Sequence, residues 1–330
     1  MGMAGPAALP ISPDEVSYLV ATAARAPSLH NSQPWRFRAR GNVIELHADH
    51  GRLLRLTDPG GREMLISCGA ALYGLRLGLR KLGYLAAVQM LPDPAEPGLL
   101  ALVQPTGRAP ITARERELLA AVPHRHTHRG PFTPARVSAR LLGGLGRDAV
   151  AEGADLLLIE QPDRLGLLAE LTARADRTQQ ADPAIQAELG RWTRPAESPV
   201  RDGIPAQAWA APSAGPERDR LPQRDFGGAG LLPAGGSAPS ATAVLTTQDD
   251  APADWLRAGQ ALHRLLLHAA TRWVFASLHS QALELPPLRA EIQAGLALDG
   301  VPQMLMQFGR ADTAPATARR PAGELIDPQR

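Results

Sequence analysis

The run PHRHTHRGPF, residues 123–132, concentrates side chains that bind ligands. Its three histidines, His124, His126 and His128, occupy alternate positions, so in an extended segment they would share one face and could bind a metal ion. A zinc enzyme would be expected to carry a carboxylate base or a further acidic ligand close by, and the run contains none. The metal interpretation is therefore the weaker one, and no metal is expected.

The residues that alternate with these histidines are Arg125, Thr127 and Arg129. Two guanidinium groups around a hydroxyl group suit a phosphate, because the planar donors of arginine bind its oxygens in pairs. A solvated basic loop is the alternative. Arg319 and Arg320 form a second basic pair near the C-terminus. That pair gains a binding role only if the fold brings it beside the first set.

A second polar stretch, RAPSLHNSQPWRFR, covers residues 25–38. Pro27 stops the helical run that precedes it, and the short polar side chains of Ser28, Asn31 and Gln33 follow. The stretch predicts a helix end and a turn, which either only connects two elements or also faces a ligand.

Hydrophobic periodicity predicts the elements that must position these residues. A helix is expected to begin after Ser12, where Pro13 and two acids make a typical helix start. A hairpin with a Gly-Asn turn follows Trp35, and residues 64–82 read as a buried helix with basic residues near its end. The runs LAAVQML, GLLALVQP and ADLLLIE predict further strands.

The chain also repeats itself. The buried-helix pattern around Gly69 recurs around Gly259, and SPDEVS at Ser12 resembles TPARVS at Thr133. These matches favour a duplication, although short helical patterns can also coincide by chance. The spacing of the two matches differs, so the second half must carry extra residues between its first and central helices.

The extra residues are expected within 190–240, where proline, glycine and serine accumulate. A disordered linker is the plain interpretation of such a composition. The stretch also contains Trp192, Trp209, Arg224 and Phe226, which a linker would lack, so an ordered cover over a site is favoured.

Composition narrows the class of protein. The chain has 330 residues, 44% of them hydrophobic, and a formal net charge of +2, so a large core is expected and a nucleic-acid partner is not. Cys68 is the single cysteine and cannot form an internal disulfide. No signal peptide or membrane-spanning run is recognisable, so a cytoplasmic protein without a membrane partner is expected.

Taken together and in order, the motifs resemble those of the Acg branch of the nitroreductase-like flavoproteins, from about Val16 to Ile326. The matching segments include APSLHNSQPWRF, TDPGGREMLISCGAALYGLRLGL, RHTHRGPFTP, DWLRAGQALHRLLL and VPQMLMQFG. The resemblance implies an α+β tandem nitroreductase-like fold, in which two fused halves, 1–122 and 123–330, form an internal pseudo-dimer of antiparallel or mixed sheets flanked by helices. A monomer is therefore expected, although further self-association stays open.

The resemblance also implies FMN as the cofactor. RHTHR matches the family's Arg-x-Ser/Thr-x-Arg/Lys motif, so Arg125, Thr127 and Arg129 would bind the FMN phosphate, and His126 would contribute a backbone or ring contact. Arg319 or Arg320 would complete this phosphate site. The polar turn of the opposite half would approach the flavin ring, through the side chains of Pro27, Ser28, Asn31 and Gln33.

Each of these motifs occurs once, so one FMN per chain is expected. One departure from the family concerns the segment after the second central helix, where glycine and small residues are expected and Trp273, Val274 and Phe275 stand instead. Such bulk could press on the flavin, close its substrate face or only repack the core.

Two functions follow from the resemblance. The first is an oxidoreductase in which FMN takes hydride from NAD(P)H or another donor and reduces a nitroaromatic, a quinone or an enone, with the chemistry at flavin N5 and no catalytic side chain. The alternative is a flavin-storage protein, in which the cover closes over FMN and excludes the nicotinamide. Loops of this kind also gate enzymes, so the cover alone does not separate the two functions.

Overall fold

The computed structural model describes residues 9–209, 221–226, 230–231, 240–312 and 316–328. Two four-stranded antiparallel sheets with helices packed against them make an α+β fold, as predicted. The elements of the first half are α1 (Pro13–Ala23), β1 (Trp35–Arg40), β2 (Val43–Ala48), α2 (Arg62–Lys81), β3 (Tyr84–Met90), β4 (Leu99–Arg108) and α3 (Ala113–Ala121). Those that follow are α4 (Ala139–Val150), β5 (Asp155–Ile159), α5 (Pro162–Gln180), α6 (Pro183–Gly190), β6 (Thr193–Arg194), β7 (Ile204–Pro205), β8 (Ala241–Thr247), α7 (Pro252–Ala270), β9 (Val274–His279), α8 (Gln281–Glu284), α9 (Pro286–Gly295), β10 (Val301–Arg310) and α10 (Ala322–Leu325).

The two sheets have the same topology. Their strand orders are β1-β2-β4-β3 and β5-β8-β10-β9, so each strand of the first sheet has a counterpart in the second. Helices α1 and α4 precede the first strand of each sheet, and α2 and α7 connect the second strand to the third. This correspondence confirms the repeat. The start of the second copy differs from the expectation, because Ser138 and not Thr133 caps α4.

Local sequence explains why the central elements form. The Ser12 side chain accepts a hydrogen bond from the Glu15 amide, and the Glu15 side chain accepts one from the Ser12 amide, which fixes the start of α1. The Asp58 carboxylate accepts hydrogen bonds from the amides of Glu63 and Met64 and so satisfies free donors at the start of α2. Helix α2 is buried along most of its length, as its apolar pattern predicts.

The central helices α2 and α7 pack against each other between the two sheets. Leu256 of α7 is fully buried in the hydrophobic core of the first half, and Ile66 of α2 is buried in that of the second. Each half therefore contributes a residue to the core of the other, and the contact between the halves is part of the hydrophobic core.

The extra residues of the second half begin earlier than predicted. They follow β5, at residue 160, and include the helices α5 and α6, which composition within 190–240 did not indicate. The described part of the cover segment continues from there to Trp209 and from Leu221 to Phe226, and includes the short parallel pair β6 and β7. Residues 210–220, 227–229 and 232–239 of the predicted cover lie outside the described residues.

The C-terminal segment returns to the first half of the chain. Ile326 bridges Phe37 of β1, and the Asp327 amide donates to the Phe37 carbonyl at 2.7 Å. This return brings residues 316–320 close to the turn that follows α1. Within the described ranges, none of the helices combines the length and the apolar character that crossing a membrane requires.

Candidate functional site

A cavity between the two halves brings the predicted motifs together. It holds about 640 Å³ of empty space, including its open mouth. The first half contributes the turn after α1 and the start of α2, and the second half contributes the run before α4, the end of β9 and the cover. The predicted residues that line this cavity are Pro27, Ser28, Thr127, Arg129, Arg224 and Phe226.

The arginine motif is held in place by β9. Thr127 forms a parallel bridge with Ala276, and the His128 amide donates to the Ala276 carbonyl at 2.9 Å. The Ser277 hydroxyl in turn donates to the His128 carbonyl at 3.0 Å. The run before α4 therefore lies along a strand of the second sheet, and this placement directs its arginines toward the first half.

Among the described residues, four guanidinium groups lie close together here: those of Arg25, Arg125, Arg129 and Arg319. Arg125 Nη2 donates to the Arg25 carbonyl at 3.1 Å, and Arg319 Nη2 donates to the Ala26 carbonyl at 3.3 Å, so both hold the end of α1. We call these four residues the arginine cluster. Its members come from three separate parts of the sequence.

The arginine cluster concentrates positive charge in a largely buried place, and this shifts the pKa values of its members. Burial, followed by the charges of Arg129 and Arg25, lowers the pKa of Arg125 to about 10. Burial also lowers the pKa of Arg129 to about 10 and, with the charges of its neighbours, lowers that of Arg319 strongly. The charges that shift the pKa values of Arg125 and Arg319 are those of neighbouring arginines, and no carboxylate of the described residues is among them. Such an arrangement is costly unless an anion binds.

Unused hydrogen-bond donors point to the same conclusion. Arg125 Nε and Nη1 and Arg319 Nε are buried and have no hydrogen-bond partner. Buried donors of this kind are normally satisfied, so each marks a place where an acceptor from outside the chain fits. Burial and the charges of Arg125, Arg319 and Arg25 lower the pKa of His126 to about 4, so its ring is neutral near pH 7 and can take part in hydrogen bonding without adding charge.

The C-terminal arginines separate into two roles. Arg319 belongs to the arginine cluster, whereas the Arg320 side chain pairs with Glu324 at 3.4 Å. The backbone amide of Arg320 donates to the Gln33 side chain at 2.8 Å. Of the two predicted residues, therefore, only Arg319 has its guanidinium group beside Arg125 and Arg129.

The predicted site residues of the polar turn also lie in two different places. Pro27 and Ser28 line the cavity, but Asn31 and Gln33 do not. The Asn31 side chain donates to the carbonyls of Gly203 at 2.9 Å and Ala318 at 3.1 Å, and the Gln33 side chain donates to the Arg201 carbonyl at 2.8 Å. These two amides tie the turn to the cover and the C-terminal segment instead of facing the cavity.

The turn itself requires an unusual backbone. His30, Asn31 and Gln33 have φ values of 48°, 56° and 50°, in the left-handed region. Such values are uncommon for residues other than glycine and need support from the surroundings, which the hydrogen bonds of Asn31 and Gln33 supply. The consequence is that His30 turns into the cavity, where its Nε2 atom is buried without a hydrogen-bond partner.

Three described residues of the cover line the cavity: Gln223, Arg224 and Phe226. Arg224 Nη2 donates to Glu284 at 2.6 Å, and Arg224 Nη1 donates to the Gln179 side chain at 2.9 Å. The Phe226 ring packs edge-on against the His30 ring at 5.4 Å. These contacts fasten the described part of the cover to both halves.

The two predicted tryptophans of the cover lie farther out. Trp209 is buried and lies beside Phe226 at 5.7 Å between ring centres, and Trp192 lies under the Arg52 guanidinium at 5.8 Å. Arg52 also pairs with Asp202 at 2.9 Å. Both tryptophans therefore anchor the cover and neither lines the cavity.

Two histidines of the run, His124 and His128, and the bulky segment after α7 do not line the cavity. His124 packs on Trp273 at 5.5 Å, whereas His128 stacks on Phe132 at 4.9 Å. No group of three or more potential metal ligands occurs in the described part of the chain. Trp273 is 58% exposed, and neither it nor the buried Val274 and Phe275 lines the cavity. Of the three alternatives for this segment, packing within the protein is the one that these positions support.

Two residues of the site were missed by the sequence reasoning. Arg25 follows the C-cap of α1 and resembles any basic residue near a helix terminus, and Glu63 resembles any acid in the first turn of a helix. In the structure Glu63 lines the cavity and is 3% exposed. Its burial raises its pKa to about 7, against the opposing effect of Arg62. Neither role has a local sequence signal, because both depend on contacts with distant segments.

Comparison with known proteins places the chain in a family. No family model matches it. Two Mycobacterium tuberculosis proteins align over nearly its whole length: "Putative NAD(P)H nitroreductase Rv3131" is 32% identical over 98% of this chain and 95% of its own, and "Putative NAD(P)H nitroreductase acg" is 31% identical over 96% of each chain.

Among solved structures, a nitroreductase with bound FMN from Desulfitobacterium hafniense aligns at a TM-score of 0.39 and 10% identity, covering 65% of this chain and 98% of its own. A second nitroreductase with bound FMN, from Bacteroides fragilis, aligns at a TM-score of 0.37 and 12% identity, covering 62% of this chain and 94% of its own. The full-length sequence relatives identify the family. The chain belongs to the Acg family of nitroreductase-like proteins.

Proposed function

We propose that this protein binds FMN in the cavity between residues 1–122 and residues 123–330 and uses it to transfer hydride from NAD(P)H to a small-molecule acceptor. The observation that carries the proposal is the arginine cluster, with its buried donors and without a carboxylate partner among the described residues. The NAD(P)H nitroreductase names of the full-length relatives support the same reaction class.

The phosphate of FMN is the anion that fits this cluster best. Arg125, Arg129 and Arg319 supply guanidinium donors, and Thr127, on the same segment, supplies a hydroxyl group. A dianion relieves the repulsion between these cations and takes up the free donors of Arg125 and Arg319. The described residues contain one such cluster, which supports one FMN per chain.

The rest of the cavity suits a flat ring system. Pro27 and Ser28 line it from the first half, and Leu262, Leu278 and Met304 line it from the second. When bound, FMN supplies the hydride chemistry. The chain orients the ring between these walls, holds positive charge nearby and limits the access of water.

A specific observation keeps the storage function as a second candidate. Arg224 and Phe226 of the cover line the cavity, and the ion pair between Arg224 and Glu284 holds the cover in place. A cover held this firmly would slow the exchange of flavin and restrict the approach of a nicotinamide. Both functions need the same bound FMN and differ only in access to it.

Anaerobic reduction separates the two functions. We expect NADPH or NADH to bleach the absorbance of the bound flavin, and subsequent addition of a nitroaromatic, a quinone or an enone to restore it. Bleaching by dithionite but by neither nicotinamide would favour storage. A protein that does not bind added FMN would contradict both functions. Since both halves contribute to the cavity, a monomer is the expected active unit.

A further inference from the structure

Among the described residues that line the cavity, Glu63 carries the one carboxyl group. It lies in the first turn of α2, on the side of the cavity formed by the first half. Its side chain contacts the Arg62 guanidinium, and Arg62 is itself held by hydrogen bonds of 2.9 Å to the carbonyl and the side chain of Gln303. The position of the carboxyl group is therefore fixed by a buried arginine that is itself hydrogen-bonded to Gln303.

Charged groups from several elements surround Glu63. Asp58 precedes α2, Glu284 belongs to α8 and Arg224 belongs to the cover. Burial raises the pKa of Glu63 to about 7; Arg62 and Arg224 oppose this rise, whereas Asp58 and Glu284 add to it. Arg129 and His30 line the same cavity. Near neutral pH, Glu63 can therefore both lose and regain a proton.

An independent observation points to a polar ligand in this part of the cavity. His30 is 5% exposed, lines the cavity, and has a buried Nε2 atom without a hydrogen-bond partner. Burial, followed by the charges of Arg224 and Arg129, lowers the pKa of His30 strongly, so its ring is neutral. A neutral imidazole can orient a ligand but has little tendency to supply a proton, which leaves Glu63 as the acid.

We propose that Glu63 donates the proton that accompanies hydride transfer to an acceptor bound in this cavity. This inference rests on the proposed oxidoreductase function. For an α,β-unsaturated carbonyl acceptor, bound FMN would supply a hydride that derives from NAD(P)H, and the β-carbon of the acceptor would take it. The π electrons of the carbon–carbon double bond move toward the carbonyl oxygen, and the α-carbon takes the proton of Glu63.

The step balances without a further reagent. The nicotinamide is oxidised by two electrons, the acceptor gains one hydride and one proton, and Glu63 is left as a carboxylate beside Arg62. Water then returns a proton to Glu63 before the next turnover. General-acid catalysis of this kind typically contributes about 10²–10⁴-fold to a rate.

The test compares wild type with Glu63→Gln, which keeps the size of the side chain but has no acidic proton. Glu117→Gln serves as the matched control, because Glu117 is 52% exposed on α3 and pairs only with Arg114 in the described part of the chain. The affinity for FMN is measured first. Proteins reduced beforehand with dithionite are then mixed with an enone and, separately, with a quinone, whose oxygens water protonates readily.

We expect Glu63→Gln to bind FMN like wild type and to reduce the enone about 10²-fold more slowly, while quinone reduction changes far less. One infrared band of a protonated carboxylic acid, present in FMN-loaded wild type below neutral pH without turnover, should be lost in this variant, whereas the bands of other buried acids such as Asp176 should stay. The wild-type enone rate should fall as the pH rises through about 7, and Asp58→Asn should move that fall to lower pH because it removes a nearby negative charge.

Each outcome decides between the claims. If wild type does not bind FMN, the proposed function is wrong and the inference fails with it. If wild type binds and reduces FMN but Glu63→Gln keeps the enone rate or the infrared band, only the role of Glu63 is wrong. If Glu63→Gln does not fold, the direction of the Asp58→Asn shift decides: a fall at lower pH supports the role, and an unchanged profile overturns it.

Discussion

Gly69 of α2 and Gly259 of α7 meet where the central helices cross, so closely that a Cβ atom on Gly259 would lie 2.9 Å from the Cα atom of Gly69. The contacts are reciprocal. A Cβ on Gly69 would lie 2.2 Å from the Leu256 carbonyl oxygen, and one on Gly259 would lie 2.0 Å from that of Ile66. Leu256 and Ile66 occupy equivalent positions, each three residues before the glycine of its own helix. This is the geometry of an internal twofold relation.

Replacing Gly259 by alanine should destabilise the protein. The added methyl group would overlap the backbone of α2 and force the helices apart, and overpacking of this kind costs about 1–3 kcal/mol or more. The free energy of unfolding, measured by urea denaturation, should fall accordingly.

Gly146→Ala is the matched control for this substitution, because Gly146 is also helical and a Cβ there meets nothing within 4 Å. It should raise stability by about 0.5–1 kcal/mol through helix propensity. Equal effects of the two substitutions would contradict the close crossing of α2 and α7.

Replacing Arg125 by alanine should weaken the binding of FMN but not that of riboflavin. The substitution removes charged donors that face the proposed phosphate, and hydrogen bonds to charged groups are worth about 1.5–3 kcal/mol, or roughly a 10- to 100-fold loss of affinity. Quenching of flavin fluorescence measures both ligands.

Arg320→Gln is the matched control for Arg125→Ala, since the Arg320 side chain pairs with Glu324 outside the arginine cluster. Its affinity for FMN should stay close to that of wild type. A loss caused by Arg320→Gln and not by Arg125→Ala would assign the phosphate to a different place.

Replacing Phe226 by alanine should speed the release of flavin. Phe226 packs against His30 and Trp209, so its loss opens the described cover at the cavity. Leu231→Ala belongs to the same cover segment, but Leu231 is 65% exposed and should change the dissociation rate little. Stopped-flow release into excess apoflavodoxin measures both rates. An unchanged rate in Phe226→Ala would show that this contact does not hold the flavin in.

Replacing Asp176 by asparagine should stabilise the protein at pH 8 and not at pH 3.5. Burial is the main reason that the pKa of Asp176 rises from 3.8 to about 6. Between these two pKa values, the Asp176 carboxyl group keeps its proton in the folded state but has lost it in the unfolded state. The contribution of Asp176 to stability therefore falls as the pH rises from 3.8 to about 6. Asparagine carries no charge and so removes the cost of burying an ionised carboxylate. Urea denaturation at both pH values tests this, with the exposed Asp163→Asn on the same helix as the control.

Much of the scaffold was predictable because its patterns are local. The capping residues of α1, the hairpin from Trp35 and the buried run of α2 each carry their own signal, and all three form as predicted. Helices α5 and α6 were not predicted, because the proline, glycine and serine enrichment that indicated the extra residues begins only where α6 ends.

The site was predictable in part for the same reason. Thr127 and Arg129 lie in one short motif and both reach the cavity. Asn31 and Gln33 were expected at the ligand, but their amides bond to Gly203 and Arg201, carbonyls that only the folded cover supplies. Arg25 and Glu63 gain their roles from segments far away along the chain, and no local pattern shows such contacts.

The most direct test of the central claim is a calorimetric titration of the apoprotein with FMN. The single arginine cluster of the described residues predicts one FMN per chain, with riboflavin bound far more weakly because it lacks the phosphate. A stoichiometry of two, equal affinities for the two flavins, or no heat of binding would contradict the account.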